Sequence, residues 1–247
     1  VLAVQYVGHT DMIRAIDTDK AGQYLVTGSD DATIKIWEIN TGRCLKTIKT
    51  EGIVRSVQWC PNAAISLILV ASDNRVLLVN PHVGDFVVNS KTDAVLTDAP
   101  QQSEVIVNER VRTAVQWGEP SDEERAAGVR VVLKHFKEVA QVTWHARGDY
   151  FASVMPDGRN RSVLISQLSK RRSQLPFSKS KGLVQCVLFH PVRPYLFVAT
   201  QRHVRIYDLV KQQLTKKLMT NSRWISTMDV HAGGDNLLVA TYDRKIL

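Results

Sequence analysis

The chain has 247 residues, of which 44% are hydrophobic and 23% charged, a balance typical of a folded globular protein. This composition excludes a disordered chain, a collagen-like fibre and a disulfide-stapled miniprotein. No apolar run approaches the length of about 18 residues that a membrane-spanning helix requires, so no membrane partner is expected. The first residues include neither an initiator Met nor the charged head of a signal peptide, which predicts a piece of a longer intracellular protein.

The cysteine content and the charge balance further limit the kind of protein and the kind of partner to expect. Cys44, Cys60 and Cys186 are too few and too widely spaced for a disulfide framework or a zinc site. No metal site and no cofactor are expected. Lys and Arg outnumber Asp and Glu by 32 to 24, which gives a net charge of +8 at pH 7. Such an excess favours a polyanionic partner, either nucleic acid or an acidic protein, and says nothing about the fold.

A repeat of about 42 residues organises the chain. The first unit, about 5–48, opens near His9, turns at Asp31 and ends its alternating apolar strand at Trp37. Alternation with period two between closely spaced turns predicts short antiparallel strands. Similar units follow at about 49–90, 130–172, 180–219 and 222–247.

The spacing and residue types of these units resemble WD40 repeats. The resemblance implies an all-β fold, a WD40 β-propeller with four antiparallel strands in each blade. The propeller is expected to be incomplete, with about four blades and part of a fifth out of seven, because the last unit stops inside a strand. A closed ring of seven would need about 100 more residues.

Four residues of the first unit match the polar positions that stabilise a WD40 blade: His9, Thr27, Asp31 and Trp37. The carboxylate can bond the imidazole, the imidazole can bond the hydroxyl, and the hydroxyl can accept from the indole N–H. Buried polar groups need such partners, so a structural tetrad is favoured over a catalytic triad.

Residues 80–134 fit the repeat poorly. The stretch after Trp117 is acidic and lacks strand patterning, so we favour an insertion at about 91–128 that follows the second blade. A degenerate blade in the same stretch is the alternative. Residues 128–134 are expected to lead into the third blade.

Five segments are more specific than the repeat pattern: Thr-Gly-Ser-Asp-Asp (27–31), Val-Thr-Trp-His-Ala-Arg-Gly-Asp-Tyr (142–150), Gln-Leu-Ser-Lys-Arg-Arg-Ser-Gln-Leu-Pro-Phe (167–177), Val-Leu-Phe-His-Pro-Val-Arg-Pro (187–194) and Leu-Thr-Lys-Lys-Leu-Met (214–219). Together they resemble the C-terminal propeller of the block-of-proliferation (Bop/Erb) family of ribosome-biogenesis proteins. The long insertion after the second repeat also resembles an insertion found in that family.

The resemblance implies a non-catalytic scaffold in large ribosomal subunit biogenesis, acting in pre-rRNA processing and pre-60S assembly. It implies a location in the nucleolus and nucleoplasm. The implied partners are a WD-repeat protein of the Ytm type, pre-ribosomal RNA and pre-60S particles, and Pescadillo through a region absent from this chain.

One basic segment is the candidate RNA contact, with the cations Lys170, Arg171, Arg172, Lys179 and Lys181. Mobile cations in a Ser- and Pro-containing loop suit phosphate binding, although a solvated loop has the same composition. A weaker cluster, Lys211, Lys216 and Lys217, follows one blade later. Aromatic residues do not alternate with these cations, which favours backbone contact over base stacking.

Arg14 and Arg55 hold equivalent places in the first strands of two successive units. The propeller pattern puts this place near the mouth of the central channel, so a protein-partner surface is predicted there. A solvated polar ring is the simpler alternative.

Enzymatic function is not expected, because the sequence contains no Gly-rich phosphate loop, nucleophile elbow or paired-carboxylate motif. His145, His190 and His231 recur after each first strand and are expected to cap turns rather than to bind metal. A general WD40 adaptor without an RNA role, for example in ubiquitin-ligase substrate recognition, is the alternative function.

Overall fold

The computed structural model describes residues 3–98, 108–179 and 182–247, and these form antiparallel sheets that follow one another along the chain. The first sheet has four strands that pair in chain order: β1 (Ile13–Thr18), β2 (Tyr24–Ser29), β3 (Thr33–Glu38) and β4 (Cys44–Lys49). Alternating apolar residues make β3 a half-buried strand, since Ile34 and Ile36 are fully buried and face one side of the sheet.

The second sheet is built from two separated parts of the sequence. It begins with β5 (Val54–Trp59), β6 (Ile68–Ser72) and β7 (Arg75–Val79). The chain then forms α1 (Phe86–Thr97), α2 (Glu109–Arg112), β8 (Val115–Gly118) and α3 (Asp122–Ala127) before returning as β9 (Val129–His135). The strand order is β5-β6-β7-β9-β8, so β9 is the fourth strand and β8 adds a fifth.

Two further four-stranded sheets and one strand pair complete the described part. The third sheet contains β10 (Gln141–Trp144), β11 (Tyr150–Val154), β12 (Val163–Gln167) and β13 (Arg172–Gln174), with a short 3-10 helix at Pro156–Arg161. The fourth contains β14 (Cys186–Phe189), β15 (Tyr195–Ala199), β16 (His203–Asp208) and β17 (Gln213–Met219). The pair is β18 (Ile225–Val230) and β19 (Leu237–Thr241).

The hydrophobic core lies between successive sheets rather than inside any one of them. Four apolar clusters each join one sheet to the next, for example Ile36 with Val70, and Val154 with Val198. Sheets packed face to face in chain order form the blades of a propeller. The predicted all-β, incomplete WD40 propeller with four antiparallel strands per blade is therefore confirmed.

Side chains of the inner strands also connect neighbouring blades. The Asp17 carboxylate accepts a hydrogen bond from the backbone N–H of Trp59 at 2.6 Å. Gln141 bonds the backbone of Val187 through both amide atoms, at 2.8 and 2.9 Å. These contacts hold each inner strand in register with the inner strand of the next blade.

The structure differs from the expected boundaries of the second unit. The insertion lies inside the second blade, from Asn80 to Gly128, and not after a blade ending at residue 90. The reason is strand pairing, because Val76–Leu78 pair with Val131–Leu133 across β7 and β9. Residues 129–135 form a nearly continuous apolar strand that completes the ladder left open by β7.

The insertion is packed into the molecule by apolar and polar contacts. Leu96 and Val111 are buried in the cluster between the second and third blades. On α1, the Asp93 carboxylate accepts hydrogen bonds from Arg130 at 2.8 Å and Asn80 at 2.9 Å, and bonds His82 at 2.7 Å. Burial opposes ionisation of Asp93, but these hydrogen bonds outweigh it and lower its pKa to about 2.

None of the helices in the described residues is long and apolar enough to span a bilayer.

Candidate functional site

The four predicted tetrad residues of the first blade lie in one hydrogen-bonded chain. The imidazole of His9 bonds the Asp31 carboxylate through Nδ1 at 2.8 Å and the Thr27 hydroxyl through Nε2 at 2.6 Å. The indole Nε1 of Trp37 donates to the same Thr27 oxygen at 2.9 Å. Strands β2 and β3 bring Thr27 and Trp37 together, and the tight turn between them supplies Asp31.

This arrangement contains the residue types of a hydrolytic triad, but its hydroxyl is not accessible to a substrate. Thr27 is only 3% exposed, and its oxygen already bonds both His9 and Trp37. A nucleophile needs an open approach to the substrate, which this hydroxyl lacks. The tetrad therefore joins two strands and a turn through satisfied polar groups.

The Asp31 carboxylate is held ionised in the folded state. Burial raises its pKa, but hydrogen bonds from Thr33, His9 and the backbone of Thr10 together outweigh burial and keep the pKa below its usual range. The carboxylate accepts from the Thr33 hydroxyl at 2.6 Å and from its backbone N–H at 3.0 Å. The turn between β2 and β3 is thus stabilised by hydrogen bonds from Thr33 at the start of β3 and from His9 and Thr10 before β1.

The two predicted partner-binding arginines lie at the start of β1 and β5. Arg14 donates to both oxygens of Asp30, at 2.6 to 2.9 Å, while its side chain is 47% exposed. Arg55 pairs with Glu138 at 3.3 Å, and both of these side chains are exposed. The four residues Arg14, Asp30, Arg55 and Glu138 are called the charged row below.

Electrostatics link the members of the charged row across blades. The hydrogen bond from Arg14 lowers the pKa of Asp30 and, despite the opposing effect of desolvation, the charges of Arg14 and Arg55 lower it further. Positive and negative side chains therefore alternate from the first blade to the loop before the third. The two arginines of this row are 47% and 41% exposed, so they can exchange their internal pairs for those of a protein partner.

The sequence located the two arginines but missed their carboxylate partners. Glu138 is 83 positions from Arg55 in the chain, and only the insertion and the return of β9 bring it close. Asp30 precedes Asp31 of the predicted turn, but its role as a bidentate partner depends on the pairing of β1 with β2.

The basic segment predicted to bind RNA is not a single loop. Strand β13 begins at Arg172 and ends at Gln174, so Lys170 and Lys179 flank opposite ends of an outer strand. Lys170, Arg172 and Lys179 are exposed, whereas Lys181 lies outside the described residues. The sequence could not show this separation, because a three-residue strand has no detectable periodicity.

Arg171 faces the protein rather than solvent, which corrects its assignment as a mobile RNA contact. Its side chain is 17% exposed and donates to the Glu119 carboxylate at 2.7 Å and to the carbonyl of Leu96 at 2.8 Å. Both acceptors belong to the insertion. Arg171 therefore fastens the insertion to the third blade and is not free for a phosphate.

The three recurring histidines cap turns, as predicted from their positions. The Nδ1 atom of His190 accepts from the backbone N–H of Val192 at 3.1 Å and of Arg193 at 2.9 Å. His145 and His231 accept in the same way from residues two positions later. Over residues 3–98, 108–179 and 182–247, no three metal-ligating side chains converge on a common point.

Comparison with known proteins agrees with this geometry. The model of the WD domain, G-beta repeat, matches residues 2–38. The chain is 66% identical to the ribosome biogenesis protein BOP1 homologs of Culex quinquefasciatus and Aedes aegypti, over 98% of its own length and 28% of theirs. It is 61% identical to the homolog of Drosophila willistoni, over 100% of its length and 32% of that protein.

Sheets packed in chain order and a His–Asp–Thr–Trp hydrogen-bond chain define the class of WD40 β-propellers. Among these, the chain is a close homologue of proteins named ribosome biogenesis protein BOP1, at 61–66% identity over nearly its whole length. It spans about a third or less of the length of these relatives, as a WD-repeat segment.

Proposed function

We propose that this chain is the propeller part of a non-catalytic scaffold in large ribosomal subunit biogenesis. The observation that carries the proposal is the identity of 61–66% with proteins named for ribosome biogenesis, across nearly the whole chain. A propeller supplies docking surfaces on a rigid ring, which suits a protein that gathers partners. In this proposal, the scaffold acts in pre-rRNA processing and pre-60S assembly, in the nucleolus and nucleoplasm.

The charged row supports a protein-docking role. Arg side chains at exposed, prepositioned sites contribute strongly to protein interfaces. The internal pairs with Asp30 and Glu138 hold Arg14 and Arg55 in place, so a partner meets an ordered surface. The partner proposed for this edge is a WD-repeat protein of the Ytm type, and Pescadillo is proposed to bind a part of the protein outside this chain.

The buried tetrad supports a structural rather than enzymatic reading of the polar residues. Its single hydroxyl is enclosed, and its carboxylate is occupied by four hydrogen-bond donors or partners. The polar groups that resemble catalytic machinery thus stabilise the blade.

Pre-ribosomal RNA is the proposed nucleic-acid partner.

Affinity purification of the complete protein from nucleolar extract tests this function. Pre-ribosomal particles and a WD-repeat protein should co-purify with the wild type. The R14A/R55A variant should lose the protein partner and keep its fold, because exposed ion pairs contribute at most about 1 kcal/mol. The matched control is R43A, since Arg43 is 70% exposed and lies 4.0 Å from Glu38.

Three outcomes would count against the proposal. Absence of pre-ribosomal particles from the wild-type purification would contradict the scaffold role in ribosome biogenesis. Recovery of a ubiquitin ligase in their place would favour the general adaptor. Equal loss of the partner in R14A/R55A and R43A would show that the charged row is not the docking edge.

A further inference from the structure

A cleft opens at the end of the propeller opposite the charged row. Arg14 and Arg55 lie at the starts of β1 and β5, whereas the cleft lies beyond the ends of these two strands. It is bounded by the turn after β1, the loop after β5 and the first residues of the insertion, which follow β7. Successive strands of an antiparallel sheet run in opposite directions, so β5 and β7 end on the same side. This cavity is called the insertion cleft below.

Two stacked aromatic rings form part of the lining of the insertion cleft. Tyr24 and Trp59 have ring centroids 6.4 Å apart and planes inclined by 18°. Trp59 is buried and Tyr24 is half-buried, so Tyr24 offers the more accessible ring. Val83 and Val88 add apolar surface from the insertion. An accessible aromatic ring in such surroundings can stack with a cation.

The local charge of the insertion cleft is negative, in contrast to the net charge of +8 of the whole chain. Its lining contains the two carboxylates of Asp19 and Asp85 and one ammonium group, that of Lys20, which gives a net charge of −1. Among the residues described, neither carboxylate has an ion-pair partner within 4.0 Å. Asp85 caps α1 through Oδ1 alone, which accepts from the backbone of Val87 at 2.7 Å and of Val88 at 3.4 Å. Its Oδ2 is therefore available to a ligand.

A buried hydrogen-bond acceptor in the same lining has no partner. Asn89 is 5% exposed, and its amide nitrogen donates to the carbonyl of Val83 at 3.1 Å. This bond fixes the orientation of the amide and leaves Oδ1 as an acceptor without a hydrogen bond in the described part of the chain. A buried acceptor without a partner costs free energy, which a donor that enters the cleft would recover.

The size of the insertion cleft and its free oxygens limit the kind of ligand. The two oxygens without a partner, Oδ2 of Asp85 and Oδ1 of Asn89, suit a group that donates hydrogen bonds. The cavity volume is about 210 Å³, below the range of about 300–1,000 Å³ that is usual for small-molecule sites. The cleft therefore suits a single side chain of a larger partner better than a cofactor.

We propose that the insertion cleft binds an arginine side chain carried by an exposed segment of a partner protein. A guanidinium group is planar, donates several hydrogen bonds and accepts none, so it matches an aromatic ring beside two free acceptors. A lysine ammonium group has the same charge but no plane to stack. The proposal goes beyond the proposed function, because it adds a second docking site at the opposite end of the propeller from the charged row. Two partners could then be held at once.

The test uses the complete protein and a fluorescent, end-blocked peptide in which one arginine is flanked by alanine and leucine residues. A second peptide carries citrulline, the uncharged analogue of arginine, and a third carries lysine. The main variant is Asp85→Asn, because asparagine caps a helix as well as aspartate does and only the charge is removed. The matched control is Asp98→Asn, at the other end of the same helix and also exposed. Fluorescence anisotropy measures affinity, and thermal unfolding checks that each variant folds.

We expect the wild type to bind the arginine peptide about fivefold more tightly than the citrulline peptide, as one exposed charge pair allows. Asp85→Asn should remove this difference by weakening the arginine peptide alone. Tyr24→Leu should weaken the arginine peptide about threefold through loss of the stacked ring. Asp98→Asn and R14A/R55A should both match the wild type.

Absence of binding to the arginine peptide, or equal affinity for all three peptides, would overturn the inference. Equal binding of the arginine peptide by Asp85→Asn and the wild type would do the same. Tighter binding of the lysine peptide would show that the cleft does not select a planar cation, and loss of binding in R14A/R55A alone would place the site at the charged row. The measurement involves no pre-ribosomal particle, so its failure is distinct from failure of the proposed function.

Discussion

Trp117 of the insertion donates its indole hydrogen bond to the hydroxyl of Ser173 on the outer strand of the third blade, at 3.0 Å. Ser173 in turn bonds Ser166 at 2.8 Å. Ser166 pairs with Phe151 as Trp37 pairs with Leu25 in the first blade, so a small residue stands where the first blade has its tryptophan. The insertion places the indole of Trp117 beside Phe151 from outside the blade, with its hydrogen bond to Ser173.

Removal of this indole should loosen the third blade. Trp117→Ala leaves Ser173 without its donor and opens space beside Phe151, whose ring centroid lies 6.1 Å from that of Trp117. The expected loss is up to about 3 kcal/mol in the free energy of unfolding. Trp117→Phe keeps the ring and removes only the donor, so it should cost less. Thermal unfolding of the intact protein measures both, and equal stability of Trp117→Ala and the wild type would contradict the role.

The tetrad of the first blade should depend on the hydroxyl at its centre. Thr27→Val keeps the shape of the side chain but leaves the Trp37 indole and the His9 imidazole without their shared partner. Two buried polar groups then lose their hydrogen bonds, at a cost of about 3 kcal/mol. Thr47→Val, on the exposed outer strand, should change stability by less than about 0.5 kcal/mol. Chemical denaturation compares the two, and equal midpoints would argue against the tetrad's importance.

Arg171 should act as a fastener of the insertion. Arg171→Ala removes the bonds to Glu119 and the Leu96 carbonyl, so hydrogen exchange in α1 should accelerate while RNA affinity stays unchanged. Lys170→Ala, one residue earlier and exposed, should leave exchange in α1 as in the wild type. A fall in RNA affinity for Arg171→Ala without faster exchange would restore Arg171 as a nucleic-acid contact.

Acid should weaken the third blade through His135. This imidazole bonds the Ser153 hydroxyl at 2.8 Å and is buried, which lowers its pKa from 6.5 to about 4. The unfolded chain takes up the proton first, so this contribution to stability is present above pH 6.5 and declines as the pH falls from there to about 4. The total loss from this residue is about 3 kcal/mol.

The pH dependence separates His135 from the other histidines. The variant His135→Gln retains a side-chain amide that can bond Ser153 but does not titrate. Its unfolding temperature should fall less between pH 7 and pH 4 than that of the wild type. Parallel curves for the two proteins would show that His135 does not carry the dependence.

Much of the fold could be predicted from the sequence, because each blade repeats the same local pattern. His9, Thr27, Asp31 and Trp37 stand at spacings that imply their contacts, and the structure brings these four side chains together. Arg171 was misread because charge alone does not show which side chains turn inward. Arg171 lies in a turn with a positive φ of 43°, and its guanidinium bonds Glu119 and the Leu96 carbonyl of the insertion.

The insertion is the part that sequence patterns could not place. Its contacts join residues far apart in the chain, as Trp117 with Ser173, and its strand β8 is only four residues long. The fourth strand of the second blade, β9, likewise follows β7 only after the long insertion that contains α1 and α3. Long-range pairing of this kind leaves no periodic signal near either partner.

Sedimentation of the complete protein with pre-ribosomal particles tests the central claim most directly. In a gradient of nuclear extract, the wild-type protein should travel with large-subunit precursors. The R14A/R55A variant, whose docking edge is altered, should be released from these particles when their RNA is digested. The R43A control should stay bound after the same digestion. A wild-type protein that remains at the top of the gradient, apart from any precursor, would contradict a scaffold role in ribosome biogenesis.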